Sequence, residues 1–474
     1  MHSPSLPPAL LSSLEGIEGF DKNKFLEIHA SGEQITSIRF NPAKAFYNSD
    51  TELNQSTISQ KFNLPLSERV PWSSFGYYLA ARPSFTMDPL FHAGVYYVQE
   101  ASSMFIEQAL RQTVDLSKPL KILDLCAAPG GKSTLIQSCI SADSLLVSNE
   151  VIKTRVNTLQ ENIIKWGSAN VIVTNNDPKD FSRLKNYFDV IVIDAPCSGS
   201  GLFRRDPQAI EEWSEENVKL CSMRQQRILE DAWPALKNNG LLVYSTCSYS
   251  KTENEDNIDW MIEQFESENI RLNLFNSQTN SSWPVVETIS EKHHGYGYRF
   301  YPDRIKGEGF FVSCFRKQSE ETPYSGKSKK TVLEKFSKTE SGIIKNYVDS
   351  GHPLYYFKYN ALAYALPEQL HEDFCLIRDS LYIRKAGILL GRFAAEELIP
   401  DHELALSSII HPKIHAIELS YSEAIQFLRK EEFKIEQTQK GWTLAKYEDH
   451  NLGWMKVLQN RINNYYPKEW RIRK

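Results

Sequence analysis

Between Lys121 and Tyr244 the chain alternates short apolar runs with longer segments in which apolar residues recur every three or four positions. The runs are Ile122–Leu125, Leu145–Val151, Val171–Val173, Val190–Ile193 and Leu241–Tyr244. Each is short and apolar, which predicts a strand buried on both faces. Between the second and third runs, Val156, Leu159, Ile163 and Trp166 have helical spacing, and Ser214 to Leu236 repeats that pattern between the fourth and fifth. Strand alternating with helix predicts an α/β fold with a doubly wound, mostly parallel sheet. Upstream, Ala9, Leu10 and Leu14 mark a helix, and Ile35 to Phe40 is an extended stretch that ends at the turn signal Asn41-Pro42. Val70 to Tyr97 is rich in proline and aromatics. After Phe315 the rhythm stops. A lysine-rich stretch to Lys338 leads to a unit rich in tyrosine (Tyr355, Tyr356, Tyr359, Tyr364). Gly387 to Phe393 then opens a compact β-containing module. The boundaries this suggests are 1–100, 101–318, a linker at 319–338, a small mixed unit at 339–385, and 386–474.

Length and composition narrow the class. At about 150 residues per domain, 474 residues make roughly three domains. With 41% apolar and 24% charged residues, wholesale disorder and fibrous repeats are excluded. No apolar run approaches the ~18 residues of a membrane span, so no membrane partner is expected. Neither a secretory signal nor a lipidation box is expected at the ends. Seven cysteines, odd in number and without a CxxC pair, argue against a structural metal or a disulfide framework and for a reducing cytoplasm. The net charge of −5 says little, because local patches decide binding. Pro323–Lys338 carries five lysines against one glutamate, and Asn451–Lys474 six Lys or Arg against one, interleaved with Trp454, Tyr465, Tyr466 and Trp470. Such segments suit a nucleic-acid surface; a solvated linker and a solvated terminal helix explain them equally well.

The chemistry gathers at the ends of the predicted strands. The first runs into Cys126-Ala127-Ala128-Pro129-Gly130-Gly131-Lys132-Ser133, a glycine turn from strand to helix that leaves N–H groups free for a phosphate or the polar end of a cofactor. It is not a P-loop, because Cys126 stands where the first glycine belongs, and it is not the dinucleotide fingerprint. Glu150, 19 residues after Gly131, suits a ribose diol. Asp177 and Asp194 end the third and fourth strands in the same way. Capping of the following helices is the alternative for each carboxylate. Cys197 and Cys247 follow the fourth and fifth strands, so two thiols share the rim if those strands are neighbours. Thiolate is the strongest side-chain nucleophile near neutral pH, and these residues alone do not rank the two. For Cys126 a small residue filling the turn is the reading, and for Cys139, Cys221, Cys314 and Cys375 it is buried packing.

Three segments, Asp124-Leu125-Cys126-Ala127-Ala128-Pro129-Gly130-Gly131-Lys132, Asp194-Ala195-Pro196-Cys197-Ser198-Gly199 and Ser245-Thr246-Cys247-Ser248, resemble the signatures of the Nol/Nop/Sun RNA cytosine-5 methyltransferases. Tyr96–Met104, Arg204-Arg205-Asp206-Pro207 and Gly307-Glu308-Gly309-Phe310-Phe311 fit the same pattern, which covers about residues 70 to 316. Asp303 departs from it, standing where histidine is expected. The length and tail are most similar to the bacterial 16S rRNA enzymes of the RsmF type, whose tail ends in a PUA-like module.

The resemblance implies a Rossmann-like S-adenosylmethionine methyltransferase core with a small N-terminal α/β RNA-binding module and a C-terminal PUA-like one. By resemblance, Cys126, Ala127, Ala128, Pro129, Gly130, Gly131 and Lys132 hold the methionine end of S-adenosylmethionine, Glu150 its ribose and Asp177 its adenine. Asp194 lies between cofactor and base. Cys247 is the nucleophile at carbon 6 of cytosine, and Cys197 assists release. Arg204 and Arg205, beside the catalytic loop, are expected to touch RNA phosphates. The target is 16S rRNA or the small ribosomal subunit, and the enzyme is expected to act as a cytoplasmic monomer without a metal. Transfer RNA is the alternative substrate, and a non-catalytic assembly factor the alternative class.

Overall fold

In the computed structural model, residues 6–45, 55–276, 280–319, 333–432 and 439–473 are described. Most of the expected lysine-rich linker, 320–332, lies outside them.

The centre is a ten-stranded sheet. Its strands are β1 (Lys121–Asp124), β2 (Leu145–Asn149), β3 (Val171–Thr174), β4 (Phe188–Asp194), β5 (Leu236–Thr246), β6 (Ser267–Ile270), β7 (Val286–Ile289), β8 (Tyr296–Phe300), β9 (Phe310–Lys317) and β10 (Ile383–Ala386). The order is β7-β8-β9-β5-β4-β1-β2-β3-β10, with β6 paired to β9. The five strands expected from the pattern run parallel as β3-β2-β1-β4-β5. Antiparallel β9 extends one edge and antiparallel β10 the other. The chain reverses direction across the sheet between β1 and β4, and in open α/β sheets the binding crevice lies at such a point, beyond the carboxyl ends of the strands.

Both faces are covered, which is why the runs lack polar alternation. Ile122 packs on one face with α1 (Ile106–Thr113), α2 (Gly131–Cys139) and α3 (Lys153–Trp166). Its neighbour Leu123 packs on the other with α4 (Glu215–Ala232), α5 (Glu255–Gln264) and α6 (His371–Ser380). Successive side chains of a strand point to opposite faces, so a doubly covered strand is apolar through its middle on both faces.

The flanking modules diverge more from the pattern. The N-terminal one is a four-stranded antiparallel sheet built from Ser37–Phe40, Leu66–Arg69, Gly76–Leu79 and Tyr96–Val98. The tail crosses back over the core, and the expected boundary at 385/386 falls within β10, a strand of the central sheet. Leu354–Tyr359, Leu362–Pro367, Ile388–Ala394 and Glu397–Pro400 form one sheet across that same boundary. The chain's end is not a solvated helix: His450–Val457 and Ile462–Asn464 are strands. Trp454 and Tyr466 are buried, so only part of the aromatic series faces outward. The terminal and N-terminal modules share one core, in which Ile38, Phe40 and Tyr96 meet Leu419, Phe427 and Tyr466. Among the described residues no helix is long and apolar enough to cross a membrane.

Candidate active site

β1 delivers Asp124 to the rim, and the chain turns through Cys126–Gly130 into α2. Gly130 has φ +113°, the left-handed region that side chains avoid. The first N–H groups of α2 have no intrahelical acceptor, and they lie at the positive end of its dipole. Beneath the turn, Ser133 Oγ donates to Asp124 Oδ2 at 2.6 Å, while buried Asp124 Oδ1 has no partner among the described residues. Burial raises this carboxyl to about 7. Free N–H groups beside an unsatisfied buried carboxylate suit a ligand that carries an anion and a cation on one small end, as a zwitterionic amino acid does.

The three acidic residues occupy the rim in different ways. Glu150 follows β2 directly; its Oε1 accepts from Ile152 N at 2.9 Å, and Arg155 lies 3.6 Å from Oε2. Asp177 stands three residues past the end of β3 and caps the short helix Pro178–Leu184, accepting from Lys179 N at 3.2 Å. The capping alternative therefore holds for Asp177 through its Oδ1. Asp194 is the last residue of β4. Its Oδ1 accepts from Ser245 Oγ at 2.9 Å and its Oδ2 pairs with Lys132 Nζ at 2.7 Å. Burial opposes the Lys132 charge, but the Asp194 carboxylate outweighs it and raises the lysine above its ordinary range. Lys132, from the glycine turn, thus reaches across to the strand that carries the cysteines, over the ring of Phe310 at 5.3 Å.

Because β4 and β5 are parallel neighbours with Asp194 opposite Ser245, the loops that follow them meet. Cys197 Sγ and Cys247 Sγ are 2.8 Å apart, and both thiols are free. The hydrogen bond with Cys247, reinforced by burial, pushes the Cys197 thiol well above its ordinary range.

The pattern of the sequence did not single out what holds these loops. Glu253 is fully buried and accepts from Ser198 N (2.8 Å), Ser198 Oγ (2.5 Å), Ser248 Oγ (2.5 Å) and Gln225 Nε2 (3.0 Å). One carboxylate thus staples the loop of Cys197 to the loop of Cys247. Asn254 adds to it, accepting from Thr246 Oγ1 at 2.7 Å and donating to Ser248 O at 2.8 Å. Lys251-Thr252-Glu253-Asn254-Glu255 reads along the chain as a solvated helix start, and only folding turns it inward. Gly201 is the third brace: its N–H donates to Cys247 O at 2.8 Å, and its carbonyl accepts from Gly309 N at 3.0 Å.

The expectation for Arg204 is corrected. Its side chain is 3% exposed, donating to Glu33 O at 2.6 Å and Gly307 O at 3.2 Å beside Glu308. Two of its nitrogens are taken by these carbonyls, and its buried Nε has no partner among the described residues, so little of the guanidinium faces solvent. Arg205 is exposed. Asp303 has a buried Oδ2 without a partner among the described residues, and burial raises its carboxyl.

A family model described as 16S rRNA methyltransferase RsmB/F matches residues 112–316. Models described as the N-terminal domain of 16S rRNA methyltransferase RsmF and the methyltransferase RsmF PUA domain match 6–101 and 414–472. Ribosomal RNA small subunit methyltransferase F of Aliivibrio fischeri (strain MJ11) is 31% identical over 449 residues, 91% of this chain and 90% of that one. The protein of the same name from Shewanella piezotolerans is 30% identical over 84% of both chains. Among solved structures, PH0851 matches with a TM-score of 0.55 at 24% identity, covering 66% of both chains. NSun6 from Pyrococcus horikoshii with SFG matches with a TM-score of 0.53 at 19% identity, covering 66% of this chain and 99% of that one. These two likenesses are of fold.

Proposed function

The chain belongs to the ribosomal RNA small subunit methyltransferase F family, and from that premise we propose that it methylates carbon 5 of a cytosine in 16S rRNA through a transient bond to Cys247. At the coarser level it is an S-adenosylmethionine-dependent rRNA methyltransferase with a PUA RNA-binding domain. The observation that carries the finer reading is the contact between the sulfurs of Cys197 and Cys247 beside Asp194.

S-adenosylmethionine, when bound, supplies an electrophilic methyl group. The turn Cys126–Lys132 holds its amino-acid end, with Asp124 beneath; Glu150 takes the ribose and Asp177 the adenine. Unaided, carbon 5 of cytosine is a poor nucleophile. Cys247, as thiolate, forms a bond to carbon 6 and sends the double-bond electrons toward carbon 5. Asp194, fixed by Ser245 and Lys132, meets the ring near nitrogen 3 and steadies the adduct. After methyl transfer, solvent takes the carbon 5 proton, the freed pair reforms the carbon 5–carbon 6 double bond, and the sulfur–carbon bond breaks with its pair returning to Cys247, with Cys197 assisting release. The base must leave its stack to reach the thiol; Arg205 and the N-terminal and PUA modules hold the RNA around it. The N-terminal module ends near residue 100, and the core spans 101–318 with β10 added from the tail. A reducing cytoplasm keeps both thiols free.

The test is trapping with RNA containing 5-fluorocytosine, which blocks loss of the carbon 5 substituent. A stable protein–RNA adduct in wild type, none in Cys247→Ser, and accumulation on unmodified RNA in Cys197→Ala support the reading. Wild-type adduct yield in Cys247→Ser sinks it. Bisulfite mapping of a deletion strain identifies the RNA: loss confined to transfer RNA rejects the ribosomal target.

A further inference from the structure

One short segment of the N-terminal module, Arg39 to Lys44, makes contacts that the reaction above does not use. Arg39 is 1% exposed. Its Nε donates to Gln99 Oε1 at 2.9 Å, Nη1 to Ser138 Oγ at 3.0 Å, and Nη2 to Thr134 Oγ1 at 2.6 Å and Gly131 O at 3.3 Å. The guanidinium also lies over the ring of Trp166, 4.6 Å from its centroid. Gly131, Thr134 and Ser138 all belong to α2, so one cation from another module grips the helix that begins at the glycine turn. Burial lowers Arg39 to about 10, and it keeps its charge at neutral pH.

The same segment holds the far end of α3. Asn41 Nδ2 donates to Trp166 O at 3.0 Å and to Gly94 O at 3.1 Å, and Lys44 Nζ donates to Lys165 O at 2.6 Å and Ala93 O at 2.7 Å. Trp166 O and Lys165 O are the last carbonyls of α3, where the helix dipole favours donors and cations. The approach is close: a Cβ on Gly94 would lie 2.0 Å from Lys165 O. Two helices flanking the cofactor crevice are thus clamped from one six-residue stretch. A buried guanidinium is tolerable only when its donors are matched, and here most of the acceptors are on α2.

We propose that Arg39 is a positioning residue for the cofactor: it fixes the first turns of α2 so that their free N–H groups are aimed before S-adenosylmethionine arrives. Docking of the N-terminal module is thereby tied to cofactor affinity. This rests on the reading of the Cys126–Lys132 turn as the cofactor site. A guanidinium suits the task because its planar fork presents donors in fixed directions, which an ammonium cannot reproduce.

The test is calorimetric titration of RNA-free, full-length protein with S-adenosylmethionine, for wild type, Arg39→Met, Arg39→Lys, Thr134→Val and Glu150→Gln. Arg39→Met weakens binding about tenfold and Thr134→Val about threefold, with Arg39→Lys between them. In turnover assays of Arg39→Met, KM for S-adenosylmethionine rises about tenfold while kcat at saturation falls less than about twofold. Wild-type affinity in Arg39→Met with weakened Glu150→Gln overturns the clamp and leaves the site assignment standing. Wild-type affinity in Glu150→Gln overturns the site assignment. A fall in kcat with unchanged cofactor affinity shows a merely structural role and also overturns the clamp. Should Arg39→Met fail to fold, Thr134→Val decides, and wild-type affinity in it is fatal.

Discussion

Replacing Glu253 with alanine removes one acceptor from four donors at the junction of the cysteine loops. Two classes of donor can adapt. Ser198 Oγ and Ser248 Oγ already lie 3.2 Å apart and can pair with each other, and Gln225 Nε2 also donates to Pro196 O at 3.0 Å. The Ser198 N–H cannot turn, and a buried donor left unpaired costs about 1–3 kcal/mol. The emptied side-chain volume adds about 1 kcal/mol at ~24 cal/mol per Å³. The sum is about 2–4 kcal/mol, and it falls on the two loops that carry the sulfurs. If the loops relieve it by separating, the aligned arrangement becomes about 100-fold rarer, at ~1.4 kcal/mol per tenfold. Three measurements follow on Glu253→Ala. Adduct formation with 5-fluorocytosine RNA slows by about that factor; hydrogen exchange rises in residues 196–203 and 246–250; and S-adenosylmethionine affinity, set at the other side of the crevice, stays at the wild-type value. An adduct formed at the wild-type rate, with exchange unchanged in both loops, refutes the staple.

Gly201→Ala places a Cβ 2.6 Å from both Cys247 O and Gly309 O, backbone atoms that cannot move aside cheaply; methyl transfer should fall about 100-fold with cofactor binding intact, and near-normal turnover rejects the brace. Asp124, raised to about 7 by burial, holds a proton in the folded state that the unfolded chain has released between about pH 4 and 7, so its contribution to stability is present at low pH and fades as pH rises through that window. Thermal melts of cofactor-free Asp124→Asn should match wild type near pH 3 and exceed it at pH 8; parallel pH curves contradict the assignment. Phe427→Ala, in the core shared by the two end modules, should cost about 3–5 kcal/mol and speed proteolysis of the N-terminal module together with the tail; cleavage confined to the tail denies the shared core.

The core was legible because a strand covered on both faces is apolar through its middle, and the five runs between Ile122 and Tyr244 each carry consecutive apolar residues. The glycine turn, Glu150, Asp194 and the two cysteines could be placed at the rim because each lies at the end of one of those runs or within four residues of it. Arg204 was misread because a charged residue beside a catalytic loop looks like a surface group; its acceptors, Glu33 O and Gly307 O, come from distant parts of the chain. The tail was misdivided for a related reason. β10 is only four residues long, and its place is decided by the free edge of β3, which nothing near residue 383 encodes.

By itself, the order of apolar and polar residues determined the parallel core and placed the candidate groups on its rim, because strand periodicity and turn chemistry are local. Only the tertiary structure decided that two sulfurs touch, that Glu253 ties their loops together, and that Arg39 reaches α2 from another module. Those are pairings between residues tens to a hundred positions apart, and close packing brings them together by shape and charge, which no local stretch of chain specifies.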